Sequence, residues 1–126
     1  MPEPSPRVAV EWTLPIIPAA FNTLNWGHWA RKKREADRWK LAARSISRGP
    51  FLQGAAARRM KLTITVHRKG VQDPDNAVAS CKYLVDALVR RGWLPDDTTE
   101  WLELEVREKK VRKNTRTHIR LETAAE

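Results

Sequence analysis

Hydrophobic and polar positions change period several times along the chain. Val8, Val10, Trp12 and Leu14 alternate with Arg7, Ala9, Glu11 and Thr13, the period-two pattern of a half-buried strand. Pro15 and Pro18 end it, and the stretch to Gly27 reads as an ordered loop carrying Asn22 and Asn25. From His28 to about Ser47, Trp29, Ala36, Trp39, Ala43 and Ile46 recur at helical spacing, closed by a Gly49-Pro50 stop. Met60, Leu62, Ile64 and Val66 then alternate with Lys61, Thr63, Thr65 and His67, a second strand broken at Lys69-Gly70.

A second helix is expected from near Asp75 to Arg91, with Cys81, Leu84, Val85 and Leu88 as its buried stripe and Gly92 as its C-terminal break. Trp101 to Arg107 alternates again, with Leu102, Leu104 and Val106 inward, and Thr117, Ile119 and Leu121 repeat the pattern against Arg116, His118 and Arg120. These last two segments are expected to pair as an antiparallel hairpin through the residues from Glu108 to Thr115. The order β-α-β-α-β-β predicts one α+β domain over residues 1–126, a mixed sheet with two helices packed on it. Residues 1–6 are Pro-rich and expected to fray.

Composition narrows the function classes. A chain of 126 residues with 41% hydrophobic content suits one domain with a real core and argues against wholesale disorder. No apolar run approaches the ~20 residues of a membrane span, and Met1-Pro-Glu-Pro-Ser-Pro-Arg7 has no signal-peptide pattern. A single cysteine, Cys81, leaves neither an intrachain disulfide nor a multi-thiolate metal site. A reducing, cytoplasmic setting is therefore expected.

The net charge of +9 favours a polyanionic partner, but it is unevenly spread. Between Asp73 and Glu105 stand eight acids (Asp73, Asp75, Asp86, Asp96, Asp97, Glu100, Glu103, Glu105) and three bases (Lys82, Arg90, Arg91), a net of −5 that leaves +14 elsewhere. The bases fall in three runs, Arg31 to Arg48, Arg58 to Lys69 and Arg107 to Arg120. An acidic island in a polyanion binder is either a solvated face or a place for a divalent cation, which turns carboxylates into a phosphate-binding centre.

The chemistry-bearing segment is Asp73-Pro-Asp-Asn76, then Lys82 and Asp86, then Gly92-Trp-Leu-Pro-Asp-Asp97. Pro74 biases Asp73 towards extended backbone, and side chains two apart on an extended chain share a side. Asp73 and Asp75 are thus expected side by side, where two carboxylates repel unless a proton or cation sits between them. Lys82 and Asp86 are four apart and share a helix face. Asp96 and Asp97 return to this group only if the next strand packs beside the one ending near His67. Plainer roles compete: Asp73 or Asp75 as an N-cap, Asp96-Asp97 as turn residues, Lys82 as a surface lysine.

Taken jointly, these residues resemble the RusA-like Holliday junction resolvases, crossover junction endodeoxyribonucleases of phages and prophage-derived bacterial genes. That family's pattern runs D-x-D-N, a helical lysine four residues before D-A-L, a glycine and a D-D pair. This chain has Asp73-Pro-Asp75-Asn76, Lys82-Tyr-Leu-Val-Asp86-Ala-Leu88, Gly92 and Asp96-Asp97. It departs by three extra residues between Asn76 and Lys82, close to one helical turn. The resemblance implies a homodimeric, Mg2+-dependent nuclease (Mn2+ substituting) that nicks four-way DNA symmetrically, in the cytoplasm at the nucleoid. It implies Asp73, Asp75 and Asp97 as catalytic metal ligands, Lys82 as a catalytic helper, and Asn76, Asp86 and Asp96 as supporting residues.

With a DNA partner, Arg31, Lys32, Arg34, Arg38, Arg68, Lys69, Lys109, Lys110, Arg112 and Lys113 become the expected phosphate contacts. Of the six tryptophans, Trp12, Trp29 and Trp39 are expected in the core, while Trp93 and Trp101 stay open between core, interface and DNA. None of the three histidines has metal-ligand spacing. Two other readings remain: a nuclease for flapped or otherwise branched DNA, and a non-catalytic nucleic-acid-binding module.

Overall fold

Alternating burial along three strands carries one side of the domain. The computed structural model describes residues 9–25 and 29–124. Its elements are β1 (Ala9–Leu14), α1 (Phe21–Asn25), α2 (Trp29–Ala43), β2 (Met60–Arg68), α3 (Pro74–Ser80), α4 (Lys82–Arg90), β3 (Leu102–Lys110) and β4 (Arg116–Thr123). The fold is α+β, a single domain with helices packed on a mixed four-stranded sheet of order β1-β4-β2-β3. Arg7 and Val8, Gly27 and His28, and the Pro-rich residues 1–6 lie outside the described residues.

The inward positions behave as their alternation predicts. Met60, Leu62, Ile64 and Val66 of β2 and Ile119 and Leu121 of β4 are buried, as are Trp39 of α2 and Leu84, Val85 and Leu88 of α4. Trp12 packs edge-on against Trp93 at 4.9 Å, a favourable aromatic geometry, and the Trp93 indole donates to the Ser47 carbonyl at 2.6 Å. Trp93 is thus a packing residue. Trp29, expected in the core, is 68% exposed at the start of α2.

The expected hairpin does not form. β4 pairs antiparallel with both β1 and β2, and β3 lies on the other side of β2, parallel to it. The chain between β3 and β4 passes the end of β2, where the Val111 amide donates to the Arg68 carbonyl at 2.9 Å. Crossing one strand requires only about 10 Å, which the short connection spans easily. The parallel β2–β3 pair requires a crossover of a dozen or more residues, and α3 and α4 supply it.

The single helix expected from Asp75 to Arg91 is two helices meeting at Cys81. Ser80 turns its hydroxyl back onto the Ala77 carbonyl at 2.8 Å, a bond that bends helices. Gly92 closes α4 at φ +86°, the left-handed conformation in which a Cβ is costly. A Cβ on Gly49 would lie 2.2 Å from the Gly92 carbonyl oxygen, so these two glycines let the α2 and α4 exits pass in contact.

Candidate functional site

Polar side chains at the sheet end, Thr117, Arg68 and Glu35 among them buried, tie down the loop before α1. Thr117 donates to the Ile16 carbonyl at 2.7 Å, while Arg38 and Arg68 donate to the carbonyls of Ile17 and Pro18. Glu35 accepts from the Ala19 amide at 2.6 Å and Gln72 from the Phe21 amide at 2.8 Å. The last bond satisfies an otherwise orphaned amide at the start of α1, and makes a helical turn of what the sequence reads as loop.

Two carboxylates anchor this network. Glu35, buried on α2, also takes the Trp39 indole at 3.3 Å and the Arg38 guanidinium at 2.8 Å. Glu108 on β3, its side chain 2% exposed, holds Arg68 with Nε 3.1 Å from its Oε2. It also accepts from the Gln72 side-chain amide at 2.9 Å and from the Gln72 backbone amide. Sequence reasoning passed over Glu35, Gln72 and Glu108. The signal available was acids set inside two strongly basic runs, Glu35 and Asp37 in the first and Glu108 in the second, the pattern expected where a buried arginine needs a partner.

Two of the expected phosphate contacts take part in this network. Arg68 is buried against Glu108 and Pro18, so its guanidinium faces the interior and not a ligand. Arg38 is committed to Glu35 and Ile17. Arg31, Lys32 and Arg34 are exposed on α2, and Arg31 and Arg34 edge a shallow hollow with Thr23. Lys69, Lys109, Lys110, Arg112 and Lys113 are exposed around the C-terminal ends of β2 and β3.

Immediately beyond Gln72 the character of the chain reverses. Asp73 has φ −59° and ψ 150° and stands at the N-cap of α3, its carbonyl accepting from the Ala77 amide at 2.9 Å. The extended backbone that Pro74 favours is present, yet the Asp73 carboxylate makes no capping bond. Asp75 sits in the first turn, where a negative charge suits the helix dipole. Because α3 begins at Pro74, the two carboxylates leave from a cap and a helical turn, not from one side of an extended strand. Both are exposed, with Asn76 half-buried behind them.

The remaining residues form a second group. Lys82 opens α4, the extra turn being absorbed by α3, and its ammonium lies 5.9 Å from the Tyr83 ring centre. Burial raises the Asp86 carboxyl above its ordinary pKa; Lys82 opposes this, Asp97 reinforces it and Arg90 opposes it. Lys82, Asp97 and Arg90 are therefore each within electrostatic reach of Asp86. Asp96 accepts from the Asp97 amide at 2.7 Å, the turn role open to it. β3 does pack beside β2, but its parallel register, Met60 opposite Leu102, puts Asp97 before the N-terminal ends of both strands. Asp73 follows the C-terminal end of β2, a strand of nine residues, or about 30 Å.

Among the described residues no group of three or more His, Cys, Asp or Glu side chains gathers as a metal-binding cluster. An apolar cavity of about 320 Å³, bordered by Val10, Phe51, Met60, Trp93 and Leu121, lies at the start of β2 and has no carboxylate in its wall. It is remote from the Asp73–Asp75 end. No helix among the described residues is long and apolar enough to cross a membrane. No family model matches the chain, and no curated protein matches it significantly.

Proposed function

We propose that the protein is a RusA-like, Mg2+-dependent endodeoxyribonuclease that resolves four-way DNA junctions by paired nicking, acting as a homodimer with one site per protomer. The observation that carries this reading is the Asp73–Asp75 pair. Asp73 occupies an N-cap without spending its carboxylate on the cap, and Asp75 is exposed in the first turn of α3. Both stand at the sheet end where Lys69 just past β2, Lys109 and Lys110 of β3, and Arg112 and Lys113 of the β3–β4 connection are exposed.

The donor set suits magnesium, which takes oxygen ligands and is commonly held by one or two carboxylates plus substrate phosphate. Held by Asp73 and Asp75 with a phosphate oxygen, it would polarise that phosphate and lower the pKa of a water. Asp97, before the N-terminal ends of the β2–β3 pair and near Asp86, is left out of this metal site. Lys82 offers a compact positive charge to a phosphate on which negative charge grows, and Asp86 orients it from one turn along α4. Exposed lysines and arginines at the strand ends hold the backbone on either side of the scissile bond.

The test is cleavage of a labelled mobile four-way junction, a flap and a linear duplex, with and without Mg2+, beside Asp75→Asn. Symmetric nicking of the junction alone, absent in the variant, supports the proposal. Preferential cutting of the flap reassigns the substrate to other branched DNA. Tight binding without cutting under Mg2+ or Mn2+ leaves a nucleic-acid-binding module.

A further inference from the structure

One whole face of the sheet carries no helix, and its side chains sort by charge along the strands. The register aligns four rows across it. At the C-terminal end of β2, His67 stands between Arg116 of β4 and Lys109 of β3. The next row is Thr13, His118, Thr65 and Arg107; then come Glu11, Arg120, Thr63 and Glu105; then Ala9, Glu122, Lys61 and Glu103. None of these residues is buried.

The acids of this face are already engaged. Glu11 holds His118 at 3.3 Å and Arg120 at 3.4 Å, and Glu105 holds Arg107 at 2.9 Å. Arg59 lies 3.7 Å from Glu103, and Arg120 lies 3.8 Å from Glu122. Among the described residues no carboxylate pairs with Arg116, His67 or Lys109. Three nitrogen-bearing side chains thus stand in a line about 10 Å across, with Lys110, Arg112 and Lys113 just beyond. The row arises only because β3 and β4 flank β2; a β3–β4 hairpin would have separated His67 from one of its neighbours.

We propose that the Arg116–His67–Lys109 row is a docking surface for a nucleic-acid phosphate backbone, and that His67 takes up a proton when the backbone binds. Unliganded, the imidazole is held below its ordinary pKa, by burial first and then by Arg116, Lys109 and His118, which favours its neutral form. Arg107 lies one row away, paired with Glu105, and Lys69 lies just past the end of β2. An incoming phosphate supplies the negative charge this corner lacks, and favours the imidazolium. Binding and protonation are then linked, and affinity rises as pH falls through the range of the two His67 pKa values. The inference rests on the nucleic-acid part of the reading above and not on cleavage.

Anisotropy titrations of the full chain with a labelled four-way junction and a linear duplex, in EDTA from pH 5.5 to 8 and at several salt concentrations, test it. Affinity is expected to rise on the order of tenfold as pH falls. His67→Gln should flatten that curve, and His67→Arg should flatten it while tightening binding at pH 8. Arg116→Gln and Lys109→Gln should each lower the salt slope by about 0.9, and His118→Gln should keep the pH dependence. A pH dependence that survives both His67 variants, or salt slopes unchanged in both cation variants, overturns the proposal. It is equally overturned if these substitutions alter sedimentation of the protein alone and leave DNA binding intact, since the face is then an interface between copies. Binding with the expected pH slope but no cutting in Mg2+ or Mn2+ defeats only the nuclease reading. A flat curve with intact cutting defeats only this one.

Discussion

Gln72 and Asp73 are adjacent in the chain and belong to opposite parts of the molecule. Gln72 is tied to Glu108 through both its backbone and side-chain amides, and to the start of α1 through its carbonyl oxygen. Asp73 carries an exposed carboxylate that its own helix does not use. On one side of this peptide bond polar groups pair with each other in the interior, where a missing partner is costly, although Nε of Arg68 makes no hydrogen bond there. On the other they face water, where a charge is cheap to keep and available to a ligand. The proposed site is thus a pair of exposed carboxylates mounted on an interior polar network.

Substitutions at the two sides should separate stability from activity. The largest effect is expected at Glu108: Glu108→Ala leaves Arg68 buried without its carboxylate and should lower stability by about 3–5 kcal/mol, seen in urea or thermal unfolding. A stability unchanged by that substitution would remove the ion pair from the account of the fold. Next, Asp75→Asn should reduce junction cleavage about a hundredfold or more, with stability altered by no more than ~0.5 kcal/mol. Equal losses of stability and activity would erase the proposed contrast.

Gln72→Ala comes third. It strands the Phe21 amide and part of Glu108, at a cost of about 1–3 kcal/mol, and amide exchange at α1 should accelerate most. The smallest effect is at Asp86, whose carboxyl is raised chiefly by burial. A group raised in the folded state contributes stability below its unfolded pKa and loses it as pH rises through the folded value. Asp86→Asn should therefore be slightly more stable than wild type at pH 7. The gain should vanish below the ordinary aspartate pKa of about 3.9, as thermal melts across pH 3–7 would reveal.

Cys81 marks the limit of reading residues one at a time. Its place on a buried stripe is legible from Leu84, Val85 and Leu88, and it is buried, with burial pushing its thiol up to about 12. That it also breaks the helix is not legible, because the break depends on Ser80 turning to Ala77 and on Gln72 meeting Ser80. The aspartates divide in the same way. Asp73 before a proline announces extended backbone at that residue, and the structure has it. Whether Asp97 comes back to Asp73 depends on the direction of β3, which alternation does not encode.

Apart from α1, the break at Cys81 and the exposed Trp29, strand and helix identity, the inward stripes and the separation of acids from bases were determined by the sequence alone. Each is local: a period of two or near 3.6, a proline, a glycine, a run of like charge. Tertiary structure decided which strand neighbours which. It thereby decided that Glu35 and Glu108 serve the interior, that Arg68 is withdrawn from the surface while Arg38 is tied to Glu35, and that Arg116, His67 and Lys109 share one row. Alternation tells a residue which face it occupies, but not what lies beside it. Partners 36, 50 and 101 positions away along the chain meet only when the sheet is assembled.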